Sequence, residues 1–370
     1  HDRSVRNFIE APRTQGGYAV KVSDRDLIAA IDLSAQELRF HPVRERVLST
    51  KWDGRPRVET LFIDYLGCDD TAYHRQCSLL TLLGVVTRIF EPGHKFDFVP
   101  ILEGLQGKGK STFIATLGMD WSGELTGDIS NASDMIQIMS GKIVLEIGEL
   151  SAMARHEVND LKAFVSRSTD EGRLPYDKRV TTYKRQCIFI GSTNDRRYLR
   201  DQSGNRRYWP IECKVDGQID FPKLRQEITQ VYAEAYHLYQ MLRSSHPVGD
   251  LPLYITDEVA IAEAELMQES RRVETAEEVL AGQIMAWLDT PIGSDDGFTD
   301  LGTPAILRNE TCMAQIWAEC LGRNGSIPTT ESMKIGNAMQ ILNWPRTENR
   351  ASGFEVNKKY GICRVYTRPI

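Results

Sequence analysis

The chain has 370 residues, of which 41% are hydrophobic and 26% are charged. These values are ordinary for a globular protein, and the length favours two or three domains over a single core. The net charge of −6 excludes a general coat of positive charge, and no apolar run approaches the ~20 residues needed to cross a bilayer. Seven scattered cysteines without a C-x-x-C pair argue against a disulfide scaffold and a zinc site, so we expect reduced thiols in the cytoplasm.

Residues 1–95 are predicted to form a helical N-terminal domain. Ser23 can cap a first helix, and an apolar pattern predicts a second helix over residues 72–90. Residue 1 is His rather than Met. We therefore expect this chain to be part of a longer protein.

The pattern changes over residues 96–215 to strands that alternate with helices. Three short apolar runs predict buried strands at 99–102, 142–147 and 186–191. Strands separated in this way by helical segments are typical of a largely parallel α/β sheet. We therefore predict an α/β core domain over this range.

Helical periodicity returns over residues 216–290, which we predict to be a helical extension. Residues 291–370 are predicted to form a helical, winged-helix-like C-terminal domain, with a helix near 330–344 and then a basic hairpin that contains Lys358, Lys359 and Arg364. Such a module could read duplex DNA or serve as a packing lid. The apolar positions of the helix are more typical of a core than of a recognition surface, and they are Met333, Ile335, Met339, Ile341 and Leu342.

A glycine-rich segment follows the first predicted strand and precedes a predicted helix. Residues 104–111 fit the pattern G-x-x-x-x-G-K-[ST], whose backbone N–H groups cradle phosphates. Lys110 is expected to contact the β- and γ-phosphates of ATP, and Ser111 to ligate Mg²⁺; the pattern does not distinguish ATP from GTP. The predicted nucleotide-binding residues are Gly104, Gln106, Gly107, Lys108, Gly109, Lys110, Ser111 and Thr112.

Acidic and amide side chains occur near the ends of the second and third predicted strands. Glu146 lies within the second strand, where a charge needs a partner such as Mg²⁺, and Glu149 follows three residues later. We assign Glu146 to the metal and Glu149 to the catalytic base, although the roles could be reversed and Glu149 could simply be exposed. Asn194 ends the third strand and is expected to orient the attacking water.

Two adjacent arginines, Arg206 and Arg207, follow a Gly-Asn turn. They could be an ordinary solvated pair. In a ring-forming NTPase, however, an arginine of one subunit can stabilise the transition state on the γ-phosphate of its neighbour. We expect one of the two to act in this way, and the sequence does not separate them.

Several strings of the sequence resemble one known family. They are Trp52-Asp-Gly-Arg, Leu102-Glu-Gly-Leu-Gln-Gly-Lys-Gly-Lys-Ser, Val144-Leu-Glu-Ile-Gly-Glu-Leu, Arg173-Leu-Pro-Tyr, and Thr193-Asn through Gly204-Asn-Arg-Arg-Tyr-Trp-Pro. Over about residues 40–215, the chain resembles the superfamily 3 helicases of the AAA+ class and, more specifically, the virulence-associated protein E family of phages and mobile elements. The residues between Glu146 and Glu149 depart from the usual adjacent acidic pair.

The resemblance implies a replicative helicase-like ATPase that assembles as a hexameric ring, often with a primase module. It also implies a hairpin before the third strand that grips DNA in the ring channel. The segment 173–200 carries eight Lys or Arg residues against two Asp, and basic residues interleaved with Tyr suit a nucleic-acid strand. The predicted DNA contacts are Arg173, Tyr176, Lys178, Arg179 and Lys184. Alternatively, Arg173 or Arg185 could point at the nucleotide, and Tyr183 could be core.

We predict an ATP-dependent DNA helicase or translocase of a phage or mobile-element replication system in a bacterial cytoplasm. Its expected partners are single-stranded or forked DNA, further copies of the chain in a ring, and a primase domain or protein. The alternative is a replication initiator that uses ATP to assemble on DNA without unwinding it. A small-molecule P-loop kinase is a third hypothesis, disfavoured by the paired arginines and the absence of an evident substrate lid.

Overall fold

The computed structural model of the protein describes residues 2–37, 40–148, 155–173, 180–199, 205–292 and 307–369. The chain forms two compact units, each with a hydrophobic core of its own. The first unit comprises residues 1–197 and 203–271, and the second comprises residues 198–202 and 272–370. The four-part division predicted from the sequence is finer than this and stays a prediction.

The N-terminal part of the first unit is helical, as predicted. Its helices are α1 (Asp2–Glu10), α2 (Asp24–Glu37), α3 (Pro42–Leu48), α4 (Leu61–Leu66) and α5 (Ala72–Phe90). Ser23 Oγ accepts a hydrogen bond of 3.2 Å from the backbone N of Asp26, so the predicted cap is confirmed. The bounds of α5 agree with the prediction, and Thr71 caps this helix by accepting from the backbone N of His74.

The strands of the first unit are β1 (Val99–Glu103), β2 (Ser122–Glu124), β3 (Val144–Ile147), β4 (Thr169–Gly172), β5 (Thr181–Lys184), β6 (Ile188–Thr193) and β7 (Tyr208–Glu212). Five of these form one sheet in the order β2-β3-β6-β1-β7. Every strand pair in this sheet is parallel, which confirms the predicted α/β class. The carboxyl ends of β1, β3 and β6 therefore meet at one edge.

Helices connect and cover these strands. They are α6 (Lys110–Leu117), α7 (Ala132–Met139), α8 (Arg155–Val165), α9 (Phe221–Ser245) and α10 (Glu258–Ser270). The core of the first unit joins the inner faces of α5 and α9 to the sheet. β1 is buried along its whole length, as expected for a central parallel strand covered on both faces. The glycine-rich loop is thus mounted between a buried strand and the start of α6.

Strands β4 and β5 form an antiparallel hairpin before β6, with Thr169 opposite Lys184. A hairpin at this position was implied by the family resemblance. Its base is closed by Arg185, which is 3% exposed and bonds both carboxylate oxygens of Asp170, at 2.5 and 2.8 Å. The suggestion that Arg185 could face a nucleotide is therefore wrong, because its buried guanidinium donates its hydrogen bonds to Asp170 instead.

The second unit contains α11 (Ala276–Leu288), β8 (Glu310–Cys312), α12 (Met313–Gln315), a π-helical turn (Ile316–Cys320), α13 (Thr329–Ile341), α14 (Asn357–Tyr360) and β9 (Val365–Thr367). β8 pairs with β9 in antiparallel orientation. Residues 345–351 also pair with 363–367, through the bridges Arg346–Tyr366 and Ala351–Cys363, so a ribbon follows α13.

Two of the basic residues predicted for the C-terminal hairpin lie in the connection between its paired segments. Lys358 and Lys359 lie on the short helix α14 and not on the strands of a hairpin, whereas Arg364 precedes β9 directly. Val356 packs into a small core with Cys312 and Val365, which explains why the connection folds back as a helical turn. In the parts of the chain that the structure describes, no helix is long and apolar enough to span a membrane.

Candidate active site

The glycine-rich loop between β1 and α6 takes a backbone conformation that favours glycine. Gly107 and Gly109 have φ angles of 81° and 86°. A Cβ atom at Gly109 would also lie 2.9 Å from the ring of Phe221. The loop therefore passes close to the first residue of α9 and then leads into α6. The first turn of α6 offers backbone N–H groups without intrahelical partners.

Lys110 is the first residue of α6, and its side chain folds back over the loop. Its Nζ donates hydrogen bonds to the carbonyl oxygens of Gly104 at 2.6 Å and Leu105 at 3.0 Å, and to Oδ1 of Asn194 at 2.9 Å. Burial lowers the pKa of Lys110, and the nearby charge of Glu146 opposes this shift. Lys110 and Asn194, which are 84 positions apart in the sequence, are thus brought together as predicted.

Glu146 lies on β3 beside the same helix. Its Oε1 accepts a hydrogen bond of 2.7 Å from Ser111 Oγ and another of 2.7 Å from Ser192 Oγ. Glu146 is the register partner of Ile190 on β6, which places the serine two residues further along β6 within reach. The carboxylate is therefore held by two hydroxyl groups at the carboxyl edge of the sheet.

The remaining loop residues line the approach to this edge. Gln106 and Thr112 are exposed, and the Nζ of Lys108 donates to the carbonyl oxygens of Val215 at 3.3 Å and Gly217 at 3.4 Å. Lys108 therefore fastens the loop to the segment after β7. Glu149 lies outside the described residues, so its assignment as catalytic base stays a prediction.

Arg206 and Arg207 lie far from the glycine-rich loop of their own chain. They immediately precede β7, whose five residues run parallel to β1 and span about 16 Å. The arginines therefore lie at the amino edge of the sheet, opposite the edge that holds Lys110. Arg206 is exposed, whereas Arg207 is 24% exposed and approaches Asp97 with an N···O distance of 3.5 Å.

Sequence reasoning missed Ser192. It belongs to the string Ser-Thr-Asn, which was read only for its final Asn194. The signal was available, because alternation along β6 puts Ser192 and Asn194 on the same face of the strand. A hydroxyl two residues before a candidate Asn is thus placed toward the same site.

A buried charge network was also missed. Arg271, 7% exposed, bonds Glu103 at 3.0 Å and Glu212 at 2.6 Å, and Glu103 is the residue directly before the loop. Arg271 neutralises a carboxylate that is only 2% exposed and would otherwise repel an anion at the loop. No local sequence pattern marks this pairing.

A cavity of about 330 Å³ opens beside the loop. It is lined by Gly104, Lys108, Asn194, Cys213 and Lys214, among others. Burial raises the pKa of Cys213 to about 12, so this thiol stays protonated at neutral pH. A larger cavity, of about 740 Å³, lies at the opposite edge, where Arg206 lines it. The smaller cavity is favoured as the candidate site because the glycine-rich loop and Asn194, which bonds Lys110, line it.

The predicted DNA contacts fall at the hairpin. Lys184 lies at its base and Arg173 directly follows β4 at its far end; both are exposed, and Tyr183 is half-buried. Tyr176, Lys178 and Arg179 lie outside the described residues, so their assignments stay predictions. Arg173 and Lys184 are the two cations that the described part of the hairpin leaves at the surface.

These features define a class of protein. It is an α/β protein whose central parallel strand leads into a glycine-rich loop, and the loop carbonyl oxygens accept hydrogen bonds from a lysine at the start of the next helix. The chain belongs to the virulence-associated protein E-like family, whose domain model matches residues 47–272. The resemblance of the sequence to the virulence-associated protein E family is thereby confirmed. None of the curated proteins compared with the chain matches it.

Solved structures with a similar fold include the apo NrS-1 C terminal region (305–718). It is 15% identical, with 87% of this chain and 78% of that chain covered at a TM-score of 0.50. Two A-form apo structures of the NrS-1 C terminal region have TM-scores of 0.49, with 14% and 16% identity. Each covers 87% of this chain, and 78% and 77% of those chains respectively. At such identities the first likeness shows a shared fold, which extends over more of the chain than the family match.

Proposed function

We propose that the protein binds ATP with Mg²⁺ at the loop between β1 and α6 and hydrolyses it as a AAA+ P-loop ATPase. The observation that carries this proposal is the convergence of four side chains at one edge of the sheet. Lys110 Nζ lies 2.9 Å from Asn194 Oδ1, and Ser111 Oγ lies 2.7 Å from Glu146 Oε1. A cation, an amide, a hydroxyl and a carboxylate are the groups that a P-loop NTPase uses on phosphates, metal and water.

Lys110 has partners that a nucleotide would replace. Two of its three acceptors are neutral backbone carbonyls, and hydrogen bonds to charged phosphate oxygens are roughly twice as strong as those to neutral groups. We infer that Lys110 moves from Gly104 and Leu105 to the β- and γ-phosphates. The loop recognises phosphates, so GTP is the alternative nucleotide.

The oxygen atoms around Glu146 fit Mg²⁺. Mg²⁺ takes one or two protein ligands together with substrate phosphates and water, and Ser111 Oγ and Glu146 Oε1, 2.7 Å apart, are two such oxygen atoms. Ser111 and Glu146 would hold the ion, which would neutralise charge that develops on the phosphates. Ser192 keeps the carboxylate aimed at this position.

We propose that Asn194 orients the attacking water, and its position after β6, the strand between β1 and β3, supports this role. In this scheme Glu149 takes the proton from water and Glu146 holds the metal, and the alternative is that these two roles are reversed. The position of Asn194 beside Lys110 supports its contact with the γ-phosphate.

Arginines at the far edge of the sheet support assembly of the ATPase as a ring, for which a hexamer is the family expectation. Arg206 cannot reach the phosphates of its own chain across a sheet about 16 Å deep. It is exposed, whereas Arg207 is engaged by Asp97. We therefore assign Arg206 as the residue that stabilises the transition state in a neighbouring subunit.

Arg206→Ala is expected to lower kcat for ATP hydrolysis by about 10³-fold, while the Kd for ATP stays near the wild-type value. The reason is that the variant keeps its own loop and loses only the neighbour's transition-state contact. Steady-state hydrolysis and titration with a fluorescent ATP analogue measure the two constants.

Mixing provides the matched test. Chains with Arg206→Ala have an intact loop, and chains with Lys110→Ala have an intact Arg206. A mixture of the two inactive variants should regain activity at interfaces that combine the intact halves. If light scattering shows mixed assemblies and activity does not return, the assignment of Arg206 to a neighbour's site is wrong.

We propose that the energy of hydrolysis moves the β4–β5 hairpin along single-stranded DNA, as a helicase of a phage or mobile-element replication system would. The exposed cations Arg173 and Lys184 support this role, because phosphate contacts by Lys and Arg dominate affinity for DNA. The buried Arg185–Asp170 pair gives the hairpin a rigid base. A primase partner stays a family expectation.

The deciding experiment is steady-state ATP hydrolysis with and without single-stranded DNA, together with mass by light scattering and unwinding of a forked duplex. We expect an assembly whose hydrolysis is stimulated by DNA and which separates strands. DNA-stimulated hydrolysis without strand separation would favour the ATP-switched initiator. Phosphate transfer to a small acceptor by a monomer would overturn the proposal in favour of a kinase.

A further inference from the structure

Helix α13 of the second unit has one face in a core and the opposite face open. Ile335, Ala338 and Met339 are fully buried. The open face carries Thr330, Met333, Lys334, Asn337 and Gln340, all of which are exposed. The prediction that the apolar residues of this helix are core is therefore wrong for Met333 and Ile341, which are 58% and 40% exposed.

The open face presents two amide side chains one helical turn apart. Within the described part of the chain, the side chains of Asn337 and Gln340 make no hydrogen bond, so their donors and acceptors face solvent. A side-chain amide offers one donor and one acceptor group together, which matches the N6–H and N7 edge of adenine in the major groove. α13 spans about 20 Å, and the major groove admits an α-helix.

The ribbon that follows α13 adds unpaired positive charge. Ala351 pairs with Cys363 in antiparallel orientation, so Arg350 and Arg364 are neighbours across the ribbon. Both are exposed, and among the described residues neither has an ion pair or a side-chain hydrogen bond. Two like charges facing each other are destabilising unless an anion lies between them.

Other basic residues of this region are already neutralised. Lys358 pairs with Glu355 at 2.6 Å, and Lys359 pairs with Glu319 at 2.8 Å. Among the described residues, Arg350 and Arg364 are thus exposed cations of the ribbon without an ion pair. Trp344, which joins helix to ribbon, packs in the same core as Ile335, so the two elements are held on one body.

We propose that the second unit is a binding site for double-stranded DNA, with the open face of α13 in the major groove. Asn337 and Gln340 contact base edges, and Arg350 and Arg364 contact backbone phosphates. This duplex site is separate from the proposed ATPase site and from the single-strand contacts of the β4–β5 hairpin. It does not depend on nucleotide.

The phosphate contacts are tested by fluorescence anisotropy of a labelled 25-base-pair duplex, with the full chain and without nucleotide. The double variant Arg350→Ala/Arg364→Ala should bind at least about 10-fold more weakly, and the slope of log K against log salt should fall by about 1.8. The matched control is Lys358→Ala/Lys359→Ala, which removes the same charge from ion-paired positions and should bind within about twofold of wild type. Wild-type affinity and slope in the arginine variant would overturn the proposal.

The base contacts are tested by selecting preferred duplexes from a random pool. Asn337→Ala/Gln340→Ala should lose at least about 10-fold in affinity for the selected site, and its affinity for unrelated duplex should stay unchanged. Equal loss on both duplexes, or equal loss on single strands of the same sequence, would contradict groove reading. ATP hydrolysis by these variants in the absence of DNA should stay at the wild-type level, which separates this inference from the proposed function.

Discussion

Replacement of Lys110 by alanine is expected to lower the rate of ATP hydrolysis by at least about 100-fold, because one preorganised cation at the transferred phosphate supplies that much transition-state stabilisation. Lys110 is 7% exposed, and its Nζ donates hydrogen bonds to the carbonyl oxygen of Gly104 and to Asn194 Oδ1. Steady-state hydrolysis with saturating Mg²⁺-ATP measures the effect. We expect the DNA-stimulated rate to vanish with the basal rate.

Lys51→Ala is the control for this variant. Lys51 is exposed, and its backbone oxygen accepts a hydrogen bond of 3.2 Å from Gln230; among the described residues its side chain has no ion pair. The control removes the same charge and should leave hydrolysis unchanged. If Lys110→Ala kept more than about a third of the wild-type rate, the loop would not be the phosphate site.

Arg185→Ala is expected to lower the free energy of unfolding by about 3–5 kcal/mol, the usual cost of leaving one partner of a buried ion pair uncompensated. Asp170 would keep a carboxylate that is 4% exposed, and the carbonyl oxygen of Phe164 would lose its donor at 2.6 Å. The guanidinium also stacks on the Phe164 ring at 4.2 Å. Urea unfolding followed by circular dichroism measures the difference.

Arg167→Ala provides the comparison at the same carboxylate. Arg167 also approaches Asp170, at 3.9 Å, but its side chain is 48% exposed. We expect a loss below about 1 kcal/mol, because solvent screens this pair. Similar losses in the two variants would mean that burial does not set the strength of these contacts.

The parts of the fold that could be predicted are those whose signal is a local pattern of neighbouring residues in the sequence. The helix over 72–90 and the three strands followed from apolar runs, and the loop followed from eight adjacent residues. Asn194 and Glu146 could be placed because each ends a parallel strand, and parallel strands end at a common edge. Local pattern and one topological rule therefore sufficed for most of the candidate site.

The parts that escaped prediction depend on contacts between distant positions. Arg271 and Glu103 are 168 residues apart, and the local sequence around each residue does not predict that they pair. In the sequence, Arg185 cannot be distinguished from the basic residues around it. Its role depends on pairing with Asp170, which is buried in the structure. The helical turn that carries Lys358 and Lys359 was not predicted, because the packing of Val356 against distant residues is not visible in the local sequence.

Arg206 and the glycine-rich loop lie at opposite edges of the same sheet. In the proposed assembly, the number of complete catalytic centres therefore depends on whether the subunits form a closed ring. Each proposed centre takes its loop from one chain and its arginine from the next, so it belongs to an interface. An open arc of subunits then has one complete centre fewer than it has chains, whereas a closed ring has as many centres as chains. Ring closure itself therefore adds the last centre.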